Sequence, residues 1–166
     1  MAVTYAHETP LAELDPVELG IRLAELVAET MVWLEGVSGL RASVAPAEGK
    51  WSAKETMGHL VDSAVNNLQR IVRLEVALDS ELEVRAQGYE QDGWVRAQRY
   101  ADKEWSQVLE LWRTLNEHIG WTMRQVSREH LARICAFPDT QVTMGFLMED
   151  YIAHIEYHLR ALREWL

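Results

Sequence analysis

Four stretches of this chain repeat apolar residues at spacings of three and four, and the stretches between them do not. The first opens at Asp15-Pro16-Val17-Glu18, where Asp15 can cap, Pro16 suits the first helical position and Glu18 stands three after the cap. It predicts a helix to about Glu35, stopped by Gly36 and Gly39. Val17, Ala24, Ala28, Met31 and Glu35 recur at helical spacing as its expected inward line, widened by Ile21, Val27 and Leu34. The second stretch follows a connection holding Pro46 and Gly49; Ser52 and Glu55 match a capping box, and the helix is predicted to reach about Leu78. Leu60, Val61, Ala64, Val65, Leu68, Ile71 and Val72 form an apolar side; His59, Asp62, Ser63, Asn66, Arg70 and Arg73 form a polar one. That polar side reads equally as a solvated face or a polar cleft.

Residues 79–101 have weaker periodicity and predict only a short helix around Asp92–Arg99. The third long helix is the clearest core-former, with Trp105, Val108, Trp112, Leu115, Ile119, Thr122 and Val126 in its seam and Asp102 as its expected cap. After a connection with Pro138 and Asp139, Thr143 caps a fourth helix running from Met144 to about Trp165. No convincing strand lies between. The pattern predicts an all-α fold, a four-helix bundle with a long crossover between its second and third helices. At 166 residues it is one expected domain, with residues 1–14 a loose lead-in.

The fourth helix carries the candidate chemistry. His154 and His158 stand four apart on the face shared by Leu147, Tyr151, Ala161, Leu162 and Trp165; Glu149, Glu156, Arg160 and Arg163 fall opposite. Inward-facing imidazoles need a hydrogen-bond partner or a metal, and two stacked on one face can share an ion. His59, on another long helix, is the best candidate for a third ligand. Three neutral imidazoles leave a coordination position open, and they suit zinc, with nickel, iron, copper and manganese as alternatives. Ile155 occupies the place where a His-Glu-x-x-His protease carries its glutamate, which argues against that mechanism. Asp62 and Asp150 are candidates for a general acid or base, or for orienting a histidine; the orienting role is favoured for Asp62. His118 and His130 have no histidine or acid at a suitable spacing and read as structural or surface positions.

The formal net charge of −10 disfavours a non-specific grip on nucleic acid or an anionic membrane. No apolar run approaches the roughly 20 residues of a membrane span. The first ten residues lack the pattern of a signal peptide, and the single cysteine, Cys135, fits a reducing cytoplasm and a small buried residue before a turn.

The segment Trp51-Ser52-Ala53-Lys54-Glu55-Thr56-Met57-Gly58-His59-Leu60-Val61-Asp62-Ser63 resembles a signature of the DinB/YfiT-like superfamily, and Asn66, Asn67 and Arg70 continue the match. Residues 88–95 resemble the crossover of one subgroup, and residues 150–158 its last helix. The resemblance runs from about residue 15 to the end. It implies a bundle, usually dimeric, with a divalent metal held by His59, His154 and His158. Tyr157 stands where several relatives carry a histidine that does not bind metal. Some relatives use a low-molecular-weight thiol in S-transfer or conjugation; others resemble metal-dependent hydrolases. The expected function is thus a metal-dependent thiol S-transferase acting on a small-molecule substrate. The alternatives are a metal-water hydrolase at the same site or a non-catalytic stress-related binding module. Arg70 and Arg73 are expected to hold a carboxylate or phosphate of the thiol, Asn66 to contact substrate, and Tyr89, Trp94 and Tyr151 to wall the pocket.

Overall fold

The computed structural model of the chain describes residues 4–6, 9–78 and 83–166. Four long helices form the body: α1 (Pro16–Leu34), α3 (Ala53–Val76), α5 (Trp105–Met123) and α6 (Met144–Arg163). Two short helices, α2 (Gly39–Ala42) and α4 (Gln91–Gln98), sit in the connections. The helix starts follow from local chemistry. Asp15 Oδ1 accepts from the Val17 amide at 2.8 Å with Pro16 at the first position. The Ser52 and Glu55 side chains bond each other's backbone amides reciprocally, at 3.3 and 2.8 Å. Thr143 Oγ1 accepts from the Phe146 amide at 3.2 Å.

Asp102 does not cap α5. That position belongs to Glu104, whose side chain makes no capping bond, while Asp102 closes a 3₁₀ turn and pairs with Arg99 at 2.6 Å. A local partner three residues back holds the carboxylate before the helix begins.

The packing order is not the chain order. α5 packs against α1 and α3, and α6 packs against the same two, so the consecutive helices α1 and α3 lie across the diagonal. Two long connections make this possible, and a small sheet joins them. β1 (Glu83–Arg85) pairs in parallel with β2 (Ile134–Ala136), which pairs antiparallel with β3 (Gln141–Thr143). The expectation of no strands is therefore corrected. Segments of three residues each are too short to show a period of two, and only pairing between distant connections makes them strands. Cys135 is buried in β2 and opposes Val142.

The inward line of α1 also differs from the expected one. Of the expected positions Val27, Met31 and Leu34 are buried, joined by Leu19, Leu23 and Thr30, whereas Val17, Ile21, Ala24, Ala28 and Glu35 face outward. Two apolar stripes overlap on this helix, and the one with the bulkier leucines meets α5. The two helices touch backbone to backbone there: a Cβ on Gly20 would stand 2.4 Å from the Gly120 carbonyl oxygen.

In α3 the first half is buried on every side. All residues from Thr56 to Ala64 are buried, His59, Asp62 and Ser63 among them. Only beyond Ala64 does the helix become two-faced, with Val65 and Val72 exposed. The polar side of its first half therefore faces the interior. The lead-in is tied down where described: Tyr5 and Ala6 donate their amides to Asp150 Oδ1, Thr9 Oγ1 donates to Glu149 at 2.6 Å, and Leu14 joins the core. The rest of the expected loose segment, residues 1–3 and 7–8, and part of the crossover, residues 79–82, lie outside the described residues.

Candidate metal centre

Three imidazoles converge where α3 faces α6. His59 Nε2 and His154 Nε2 are 3.1 Å apart, and the three pairs of ring centroids among His59, His154 and His158 are 5.1, 4.9 and 4.7 Å apart. One ring nitrogen from each lies within 4.8 Å of the others, and these three are the group among the described residues that can hold a metal ion. His59 is fully buried, His154 nearly so and His158 half-buried.

The surroundings keep these rings neutral. Burial is the largest cause in each case, and it lowers the pKa of His59 and His158 to about 4 and that of His154 to about 3. The neighbouring rings add repulsion at His59 and His154. A neutral imidazole offers a lone pair, which is the form that ligates. Ser63, one turn after His59, stands beside the other ring nitrogen of His154. Its Oγ lies 3.3 Å from His154 Nδ1, so an Nδ1–H donated there leaves Nε2 free to face His59. Ser63 is fixed in turn by Asn67, whose Nδ2 donates to its Oγ at 3.2 Å.

The donor set fits a divalent cation. In a tetrahedral zinc site with Zn–N near 2.0–2.1 Å, ligand nitrogens stand roughly 3.3–3.4 Å apart. The 3.1 Å approach of the two Nε2 atoms is close to that edge. Two neutral rings at this distance can satisfy at most one donor–acceptor pair, and among the described contacts His158 makes no hydrogen bond to either ring. His59 Nδ1 is also buried without a partner.

Aromatic rings enclose the centre. Trp51 stacks near His59 at 5.1 Å, Tyr5 near His154 at 4.8 Å, and Tyr157 near His158 at 5.2 Å. Tyr89 approaches His59 at 6.5 Å and packs on Trp94 at 4.8 Å. The environment pushes the Tyr89 hydroxyl up to about 12, chiefly by burial, so it stays a protonated donor.

The two carboxylates singled out by sequence are occupied in different ways. Asp62 is buried; its Oδ1 accepts from Tyr100 at 2.7 Å and from Gln98, while Oδ2 has no partner. Burial raises its pKa against those hydrogen bonds. No bond links it to a histidine among the described contacts. Asp150 holds the amides of Tyr5 and Ala6. Tyr151 lies in the core, its hydroxyl donating to Asn116 Oδ1 at 2.5 Å, and it does not line the cavity beside the centre.

That cavity, about 1000 Å³, is lined by Asn66, Arg70, Tyr89 and Trp94 among others. The histidines do not line it; Tyr89 is the link between the two. Arg70 donates to the Gln87 carbonyl at 3.0 Å and lies 4.9 Å from the centre of the Phe137 ring. His118 is exposed. His130 does have an acidic neighbour: its Nδ1 is 3.0 Å from Glu75, a pairing made by folding and absent from local spacing. Sequence reasoning gave no role to Tyr5, Trp51, Ser63 or Gln98. Ser63 carried a signal, its i+4 place after His59; Tyr5 and Gln98 carried none.

A sequence model of the DinB superfamily matches residues 22–162. No curated protein matches the chain. Among solved structures, YfiT from Bacillus subtilis is similar with a TM-score of 0.84 and 18% identity, over 98% of this chain and 91% of that one. That protein is described as a probable metal-dependent hydrolase with an unusual four-helix bundle topology.

Proposed function

The chain belongs to the DinB superfamily, and we propose that it is a metal-dependent enzyme that activates a low-molecular-weight thiol for attack on an electrophile. His59, His154 and His158 would hold a divalent cation, zinc by preference for three imidazoles, with nickel, iron or manganese as alternatives. Such a cation, when bound, supplies a Lewis-acidic position that lowers the pKa of a thiol or water placed there. The chain's own residues do the rest. Ser63 sets the His154 tautomer, Trp51 and Tyr5 exclude water from two sides, and Asn66, Arg70, Tyr89 and Trp94 line the space for the small molecule.

The observation that favours a thiol is the state of the carboxylates. Asp150 is committed to two backbone amides, and Asp62 is anchored through Oδ1 by Tyr100 and Gln98, with its Oδ2 bonded to none of the three histidines. Water attack at neutral pH gains from a base held within hydrogen-bond reach. A thiol that loses its proton to solvent needs none; a sulfur–carbon bond then forms and the leaving group departs with its electron pair. Hydrolysis at the same centre is the second reading, favoured by the description of YfiT as a probable hydrolase on a shared fold. Thiol dependence separates them: conjugation of an electrophile only with added thiol supports transfer, and ester cleavage without thiol supports hydrolysis. A protein inert in both assays, with metal removal affecting stability alone, would be a binding module.

The same reading makes the protein a cytoplasmic homodimer. Val65, Val72 and Val76 form an exposed apolar line along α3, suited to a second copy. Among the described residues no helix is long and apolar enough to cross a membrane. Light scattering reports the dimer.

A further inference from the structure

On a chain with a net charge of −10, the cavity beside the histidines reverses sign. Among the described residues, Arg70, Arg73 and Arg85 line it against one acid, Glu83. Arg85 lies 3.8 Å from Glu83, a weak pair at the rim. Arg70 and Arg73 have no ion pair among the described residues. Arg70 is held by neutral partners. Its Nη1 donates to Asn67 Oδ1 at 3.3 Å, its Nη2 to the Gln87 carbonyl at 3.0 Å, and its guanidinium faces the Phe137 ring. These contacts fix the planar group but leave further N–H donors of its five without a protein partner. A partly buried cation held rigid and lacking an acid is preorganised for an incoming anion, because little side-chain entropy remains to be lost.

The position of this group sets a length. His59, Asn66 and Arg70 fall at i, i+7 and i+11 on α3, within about 20° of one line down the helix. Eleven residues rise roughly 16 Å. Because the Arg70 guanidinium turns back to bond Asn67, its head lies about a turn nearer to the histidines, some 11 Å along the axis.

We propose that this cavity is an anion-anchoring subsite. It takes a carboxylate or phosphate at the far end of an elongated small molecule whose other end reaches the three histidines past Tyr89. Only the second half of that statement rests on the proposed function; the anion site stands on the arginines alone. Arg70 supplies a fixed fork, Arg73 a second charge, and Phe137 the backing for the first.

The test is titration of the full-length, metal-free protein with inorganic phosphate and, separately, with succinate, followed by calorimetry and by ligand-observed NMR. Saturable binding is expected for at least one anion, and the tighter one identifies the chemistry. Arg70→Gln and Arg73→Ala should each weaken it about tenfold, as for loss of a charge-assisted bond. Arg73 is exposed, so its variant keeps the fold. Arg113→Gln removes the same charge from a distant surface pair with Glu110 and Glu117 and should leave binding unchanged. His59→Ala, checked for folding by circular dichroism, should also leave it unchanged, and in a separate reconstitution with zinc should take up no metal, which separates this site from the histidine centre. Absence of saturable binding by either anion, equal weakening by Arg113→Gln, or loss of binding in His59→Ala would overturn the proposal.

Discussion

His59 and His154 are 95 residues apart in the chain, and their Nε2 atoms stand 3.1 Å apart in the interior. One belongs to α3 and the other to α6, helices that pack side by side only because two long connections let the chain skip a neighbour. The pair is thus a product of topology, and several consequences can be measured.

Acid should destabilise the metal-free protein. The three folded-state pKa values lie near 4, 3 and 4, below the ordinary 6.5. Between those limits the unfolded chain binds more protons than the folded one, so stability is present above about pH 6.5 and is lost as pH falls toward 4. Each unit of depression corresponds to about 1.4 kcal/mol. Denaturant midpoints at pH 7, 6, 5 and 4 should fall steeply across this window. Replacing His154 by Gln should flatten the slope; an unchanged slope contradicts the assignment.

Ser63→Ala should weaken metal binding by about 10–100-fold, the usual cost of removing the group that orients a ligating histidine. It should leave the helical circular dichroism unchanged. Competition against a chromophoric chelator measures the affinity, and wild-type affinity in the variant would show that Ser63 does not orient the ring.

Gly58 is required for Tyr100 to reach Asp62. A Cβ there would lie 2.2 Å from two carbons of the Tyr100 ring. Gly58→Ala should cost about 1–3 kcal/mol by overpacking, despite alanine's better helix propensity. Urea unfolding reads the loss, and a stabilised variant would mean that the ring can move aside freely.

Much of this was legible in the sequence. Capping at Asp15, Ser52 and Thr143 set three helix starts, and the Trp105–Ile119 seam set the buried face of α5. His154 and His158 declared themselves by an i,i+4 spacing on an apolar face. His59 stood out only as the best remaining histidine, because its meeting with His154 depends on which helices become neighbours. α1 misled because Ala24 and Ala28 fit a helical stripe as well as Leu19 and Leu23 do, and periodicity does not report which stripe is buried. The three strands carried no local signal, since each is only three residues and draws its partner from another connection.

Asp150 should act as the clasp of the N-terminal segment. Asp150→Ala removes the acceptor of the Tyr5 and Ala6 amides. Amide hydrogen exchange at these two positions should accelerate by about tenfold or more, as expected when a charge-assisted hydrogen bond is lost. Metal content should stay as in wild type. Unaltered exchange would show that Tyr5 is held by its ring contacts with His154 and Tyr157 alone.

The central claim is that two helices build one metal centre, and metal stoichiometry tests it most directly. Wild-type protein and the His59→Ala and His154→Ala variants would be reconstituted with zinc, desalted and measured by mass spectrometry, with circular dichroism as a check on folding. Near one ion per chain in wild type, lost in both folded variants, is the result expected. Metal retained in His59→Ala, or a wild type that takes up none, would contradict a centre shared by α3 and α6.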